Sequence, residues 1–475
     1  MAPSTSAQRQ QSDEQTPLIG GGRNGRSESH SFHDNIGGGG GSHGGAPTVL
    51  QSLKNFIFSG WLNLLLVSVP LSFISHFAHW GSTADFIISF IAIVPLASLL
   101  GDATEQCSLR LGQTVGGHLF PRARSTFGNA VELIVGVLAL KRGELRIVQT
   151  SLLGSILSNL LLVLGCSFLV GGLKFKEQQF QATAAQASSS LMVLGTATLV
   201  IPAAYRANQL DGSLSNDGPG VLTLLDDFGK KTDISGLLKL SRGTAIVRGS
   251  LSFRWYLYFQ LRSHHYLFQA EADDDEEEAK MNMPTAVGAL VVVTVITSFC
   301  ADYLVGAIDD FATDFGIPKA FIGLILLPIV GNAAEHVTSV WMAGAGKMEL
   351  TIGVAIGSSI QIGVGLIPIL VIVGWIINQD LTLFFENFET IVLFVSVLLV
   401  DILVADGKSN YLEGLLLGAS QAFLFSLSSR AYVEPDDECL SQSRCTSSSP
   451  SPSGSPSKTS WRSLPVDLPS LSDPY

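Results

Sequence analysis

Gly128-Asn129-Ala130-Val131-Glu132 and Gly331-Asn332-Ala333-Ala334-Glu335 decide the reading of this chain. The second stretch repeats the first at an offset of 203 residues (331 − 128). Downstream, Gly154-Ser155-Ile156-Leu157-Ser158-Asn159 is answered by Gly357-Ser358-Ser359-Ile360-Gln361, and the spacing inside each half is the same, 26 residues (154 − 128 and 357 − 331). Gly143 and Gly346 fall in register between them. Two short motifs recurring at equal spacing inside apolar stretches mark an internal duplication. An odd number of helices in each half sets the copies in opposite orientation across a bilayer, an arrangement that recurs among transporters with a site at the midplane.

The surroundings of the motifs are those of a membrane protein. Hydrophobic residues make up 47% of the chain and charged residues only 14%, too apolar a balance for a soluble protein of 475 residues. Phe86 to Leu100, Val148 to Val170, Ala286 to Ser298, Ala320 to Val330 and Ile391 to Val404 are almost free of charge. With their flanks they approach the ~20 apolar residues that carry an α-helix across ~30 Å of hydrocarbon. Buried helices of a large soluble protein would carry a polar stripe, and these do not.

Hydropathy predicts helices near 55–76, 83–104, 126–140, 147–170, 186–204, 243–262, 285–308, 318–343, 350–377, 388–405 and 411–429. The expected fold is an all-α integral membrane protein of about 11 transmembrane helices, one leading helix and two inverted five-helix repeats. Its expected divisions are a polar tail over 1–50, the leading helix in 51–80, the first repeat in 81–265, an acidic loop over 266–283, the second repeat in 284–430 and a polar tail over 431–475. A further hydrophilic loop is expected near 206–240. The glycine run within 36–45 is read as a linker, because no Gly-Lys-Ser/Thr of a phosphate loop follows it. Glu14 to Ile19 resembles an acidic dileucine sorting signal. Basic residues at 110, 122 and 124 balance those at 141, 142 and 146, so the positive-inside rule sets no orientation.

The net charge of −12 owes much to the run from Glu271 to Glu278, a solvated loop or a weak cation-binding surface. No basic patch interleaved with aromatics points to nucleic acid. The five cysteines lack paired metal-ligand spacing.

A glutamate in an apolar helix costs a few kcal/mol to insert, and this chain places one twice in matching contexts. Asn129 and Asn332, three residues earlier, are expected on the same helix face as Glu132 and Glu335. Ser155, Ser158, Ser358 and Gln361 add neutral oxygens. Two carboxylates with amide, hydroxyl and backbone oxygens suit a hard divalent cation, calcium first, with manganese and other divalents left open; zinc or copper would call for histidine and cysteine. His336 follows Glu335 and points about 100° away from it on a helix, as a gating or proton-handling residue or a packed, hydrogen-bonded one. Glu105 and Asp302 stand at matching helix ends, on the ion or proton path or as interfacial charges; Glu386 and Glu389 are expected at a helix mouth.

Burial disfavours the charged form of any carboxyl and a bound divalent ion favours it, so ion and protons compete for one site. Two protons moving down two pH units each yield about 2.7 kcal/mol, and a ten-thousand-fold calcium gradient costs about 5.5. A hydrolase reading of Glu335-His336 fails because no His-Glu-x-x-His occurs. A channel would arrange its acids in an oligomeric ring, not in inverted halves.

Phe127 to Ile134, Gly331 to Val340, Gly357 to Gln361, Cys300 to Gly306 and Ile201 to Ala204 resemble the vacuolar calcium/proton exchangers of the cation/calcium antiporter superfamily, fungal type. The resemblance covers most of 50–415. It implies a secondary transporter and not an enzyme, eleven helices, a cytosolic N-terminus, the vacuolar membrane, and export of cytosolic Ca2+ in exchange for lumenal protons. It also implies Glu132 and Glu335 as central ligands, with no cofactor and with Ca2+ as substrate; whether copies associate as a homo-oligomer is left open. Three stretches depart from the pattern: His118 to Ser125, Val247 to Trp255 with Arg248 and Arg254 inside an expected helix, and the serine-rich end from about 418. These read as errors in a reading frame, such as retained intron sequence, or as a variant with impaired packing and lost activity.

Overall fold

The computed structural model describes residues 49–58, 60–115, 128–212, 242–247, 252–264 and 281–430. The two polar tails, the sorting-like motif at 14–19, the segment 118–125, Arg248, the acidic run 271–278 and most of the loop at 206–240 lie outside the described residues. Among those described, the chain is helical apart from one antiparallel pair, β1 (Gln178–Gln179) with β2 (Lys408–Ser409).

Four helices are long and apolar enough to cross a bilayer among the described residues: Ser82–Arg110, Leu145–Lys174, Met283–Gly306 and Met348–Ile376. Counting each bent pair as one span raises the number to six. The expected leading helix over 55–76 is instead broken. α1 (Val49–Ile57) and the segment Trp61–Phe77, whose latter part is α2 (Ser68–Phe77), meet at 94°. Gly60, in extended conformation with φ −139° and ψ 158°, ends one and begins the other.

α3 (Ser82–Val115) packs along α9 (Met283–Gly306) in antiparallel fashion. At one end Arg110 Nε donates to the Met281 carbonyl at 2.7 Å. At the other, Ser82 and Thr83 donate to Asp310 and Asp314 of α10 (Ile308–Phe315). These contacts define two faces of the bundle. α4 (Ala130–Lys141) ends on the second of them, where Arg142 pairs with Asp302 at 2.9 Å. α5 (Leu145–Leu157), a π-helical segment Ser158–Val163 and α6 (Leu164–Lys174) then run back as one helix to the first face. There Lys174 donates to the Gly344 carbonyl, the last residue of α13 (Ala333–Gly344). So α4 and α13, which carry the repeated motifs, end on opposite faces.

The duplication extends to backbone detail. α13 matches α4 at the offset of 203, and α14 (Met348–Ile360) matches α5. The π-helical segment Gln361–Leu366, leading into α15 (Ile367–Ile376), matches Ser158–Val163. Gly143 and Gly346 turn the chain with φ +81° and +83°, a conformation that a Cβ would strain. The two matched helices form the centre: 83% of the apolar stretch of α14–α15 is buried, against 28% for α9. The valines of α9 at 287, 291, 292 and 295 point outward, as a helix bathed in lipid requires.

After α6 comes α7 (Ala182–Gly212), followed by helical residues 242–247 and by α8 (Phe253–Tyr258) with a π-helical segment Phe259–Ser263. Arg254, expected inside a span, turns outward, while Tyr256 on the same helix is buried. α16 (Asn387–Leu403) packs on α7. α17 (Tyr411–Arg430) packs on α6 through Gly165 and Gly414, where added methyls would strike the facing backbone.

Candidate cation site

The expected helix over 318–343 is two half-helices. α11 (Lys319–Phe321), a π-helical segment Ile322–Leu326 and α12 (Leu327–Gly331) come in from the second face, and α13 starts afresh after Asn332. Asn332 has φ −94° and ψ 9°, and Asn129, before α4, has φ −86° and ψ 22°. Both asparagines are N-cap residues outside the helix proper, three positions before the glutamates. Neither uses its side chain to cap, which leaves the amides free for other partners. Glu132 and Glu335 therefore occupy the first turn of half-helices that begin inside the bundle, where the helix dipole favours negative charge. A signal for this was present in the sequence: Asn followed three residues later by Glu is a helix-start spacing.

Glu132 reaches the break that precedes α13. Gly331 leaves room for Glu132: a methyl added there would lie 2.9 Å from Glu132 Oε1. Glu335 is near enough for the two charges to act on one another. Both oxygens of Glu132, Oε2 of Glu335 and both amide atoms of Asn332 are buried and, among the described residues, without a hydrogen-bonding partner. Such groups are costly in a protein interior unless something is drawn to them.

The opposite half of the site is knitted shut. Ser358 Oγ donates to Asn129 Oδ1 at 2.7 Å, and Asn159 Nδ2 donates to Ser358 Oγ at 3.1 Å. Asn129 Nδ2 reaches Gln361 Oε1 at 3.4 Å. Ser158 Oγ is 3.2 Å from His336 Nε2, which ties the histidine to the other repeat. Ser155 is buried on α5. The sequence-chosen residues at 129, 132, 155, 158, 332, 335, 336, 358 and 361 thus come from the four matched elements that meet at the breaks.

A cavity of about 400 Å³ leads to Glu335 and Ser358 and is lined also by Gly128, Asp102, Glu349 and Tyr256. A second, of about 350 Å³, shares Asp102, Ala334 and Thr338 with the first and includes Glu105. Sequence reasoning named Glu105 but missed Asp102, one turn earlier on α3, and Glu349, in the first turn of α14. Asp102 closes an apolar run and Glu349 opens one, the place of ordinary interfacial charges. Asp302 lines neither cavity; its carboxylate is held by Arg142 at a partly exposed position, an interfacial ion pair. Among the described residues no group of three or more His, Cys, Asp or Glu side chains is arranged to hold a metal ion.

Residues 81–224 and 285–423 match the sodium/calcium exchanger protein family, one match for each repeat. The chain belongs to that family. Among its relatives, the vacuolar calcium ion transporter of Schizosaccharomyces pombe is 45% identical over 378 residues, covering 79% of this chain and 86% of that protein. The vacuolar cation/proton exchanger 3 of Oryza sativa subsp. japonica is 38% identical over 381 residues, 78% of this chain and 86% of the other. The solved structure of the Ca2+/H+ antiporter protein YfkE superposes with a TM-score of 0.61 at 32% identity, over 79% of this chain and 99% of that one. The exchanger fold and the paired half-helices are thereby accounted for together: each family match contains one Gly-Asn-Ala-x-Glu motif.

Proposed function

We propose that this exchanger-family protein is a secondary active transporter, not an enzyme, that moves cytosolic Ca2+ into the vacuole in exchange for lumenal protons. The names of its relatives support the substrate pair and the vacuolar membrane. One observation carries the assignment to a site. Two carboxylates at matched breaks present buried oxygens that no described residue satisfies, beside an asparagine amide in the same condition.

In this reading Glu132 and Glu335 bind the calcium ion, joined by the Asn332 amide oxygen and the Ser358 hydroxyl, and the same two carboxylates take up protons when the ion leaves. Asn129, Ser155, Ser158 and Gln361 shape the surrounding oxygen cage, His336 braces α13 against the π-helical segment at Ser158, and Glu105 with Asp102 draws cations toward the cavities. With the N-terminus cytosolic, the smaller cavity, which Ser52 and Asn55 of α1 help line, opens to the cytosol together with the larger one that shares Asp102 with it.

The test is 45Ca2+ uptake into sealed vesicles with an imposed acid-inside gradient, comparing the parent with Glu132→Gln and Glu335→Gln. Uptake that collapses with a proton ionophore and is lost in both variants is expected. Uptake that survives both substitutions refutes the site, and parent uptake indifferent to the pH gradient refutes proton coupling. Mn2+ in excess should compete through the same oxygens, and its potency measures selectivity.

A further inference from the structure

The two repeats present corresponding doorways, on opposite faces, in unlike states. In the second repeat the head of α14, with Glu349, Ile352 and Gly353, faces the start of α7 across the open cavity, where Gln181, Ala184 and Ala185 complete the lining. In the first repeat the equivalent helix head is that of α5. The offset of 203 puts Arg146 at the position of Glu349 and Thr150 at that of Gly353. This head faces the start of α16, and neither cavity reaches it.

Instead, Arg146 Nη1 donates to Glu389 Oε2 at 3.1 Å and its Nη2 makes a still closer contact with Glu389 Oε1. The same Nη2 lies 3.0 Å from Glu386 Oε2. Glu389 is 1% exposed and Glu386 52%, so the arginine bridges a buried acid and a surface one. Gln149, one turn further in, donates to the carbonyls of Thr382 at 2.8 Å and Phe384 at 3.3 Å. The segment it holds buries Leu381, Leu383, Phe384 and Phe385. Thr150, one turn beyond Arg146, is wholly buried against Gly323 of the π-helical segment Ile322–Leu326, whereas Gly353 lines a cavity. A bidentate guanidinium–carboxylate pair is strong while packed and specific in geometry, yet it can dissolve into water when its helices part.

We propose that Arg146 with Glu389 and Glu386 is the latch of a second doorway to the cation site, repeat-related to the open cavity, and that the site is reached from the Arg146 face only when this pair separates. A latch placed there keeps one face sealed while the other is open, the condition that any exchanger must meet; the inference rests on the transport reading above. The sequence difference between the repeats supports it. Opposite Glu349 the open doorway presents Gln181, Ala184 and Ala185, none of them charged, where the closed one sets Glu389 opposite Arg146.

The test uses the full chain purified in detergent, with its five cysteines replaced, and single reporters Thr150→Cys or Gly353→Cys labelled by a hydrophilic maleimide. Labelling needs no calcium transport, so its result stands apart from that of the uptake assay. The Gly353→Cys reporter should label fast and the Thr150→Cys reporter at least about tenfold more slowly, about 1.4 kcal/mol of doorway closure. Arg146→Gln or Glu389→Gln should raise the Thr150→Cys rate about tenfold, and the charge-reversed pair Arg146→Glu with Glu389→Arg should restore protection. A Thr150→Cys rate unchanged in both neutralised variants overturns the latch, as does fast labelling in the parent. If the variants do not elute as a single species, Arg146→Cys with Glu389→Cys is bridged by a short, disulfide-cleavable bifunctional maleimide. Uptake should then stop and return on reduction; full uptake by the bridged protein refutes the proposal.

Discussion

Gly331→Ala is the sharpest probe of the site, because its cost should fall on the ligand and not on the fold. The added methyl would stand 2.9 Å from Glu132 Oε1, 3.2 Å from Cδ and 3.5 Å from Cγ, with no backbone atom among these contacts. Only the end of a flexible side chain has to move, so the helices keep their places. The carboxylate, however, must swing away from the Asn332 break, and a χ angle pushed about 30° from its well costs about 0.5–1.5 kcal/mol. If calcium requires the original position, that energy is lost from binding, and apparent affinity falls about 2- to 12-fold. Gly154→Ala is the contrast: its methyl would strike the Leu324 carbonyl and lie 2.7 Å from Pro328 Cγ, so α5 and the segment before α12 would have to separate. The assay is the calcium dependence of vesicle uptake, paired with thermal unfolding in detergent. Gly331→Ala should raise the half-saturating calcium concentration with little change in melting temperature, and Gly154→Ala should lower the melting temperature. Unaltered affinity in Gly331→Ala, with the variant folded, would falsify the placing of Glu132 as a ligand at the break.

The two asparagines should part company under mutation. Asn129→Ala removes the acceptor of the Ser358 hydroxyl and the amide donor to Gln361, and should cost about 1–3 kcal/mol of stability by thermal melting. Asn332→Ala removes an amide with no described partner, so stability should hold while uptake falls; the reverse ranking would contradict the assignment of roles. Asp302→Asn breaks a partly exposed ion pair with Arg142, so stability should change by less than about 1 kcal/mol and uptake should stay near the parent level. A large loss of uptake there would return Asp302 to the ion path.

The repeat was legible because a duplication conserves spacing, and spacing survives folding: the offset of 203 recurs in helix ends, in both π-helical segments and in the turn glycines Gly143 and Gly346. The breaks at Asn129 and Asn332 were harder to see. Hydropathy is continuous through Ala320 to Val330 and beyond, and apolar content reports burial, not the path of the backbone. Asp102 and Glu349 were missed for a related reason. An acid at the end of an apolar run reads as an interfacial charge until the neighbouring helices show that it lines a cavity. Arg146 and Glu389, 243 residues apart in sequence, meet only through the tertiary fold.

What the repeat itself could not convey is that equal motifs acquire unequal surroundings, and the reason lies in the few positions where the copies differ. Gln361 stands where the first repeat has Ser158, and its longer side chain reaches Asn129. The shorter Ser158 is engaged by His336, for which the first repeat has Leu133 at the matching place. Asn129 also accepts from Ser358, whose hydroxyl is held in turn by Asn159; the second repeat has Ile362 in the place of Asn159 and so no second donor of that kind. Three substitutions between the copies therefore satisfy one asparagine and leave the other open beside Glu132. The unpartnered oxygens accordingly gather on one side of a pseudo-symmetric centre, and in the proposed reading a cation entering along Glu335 would meet Asn332 and Glu132 there.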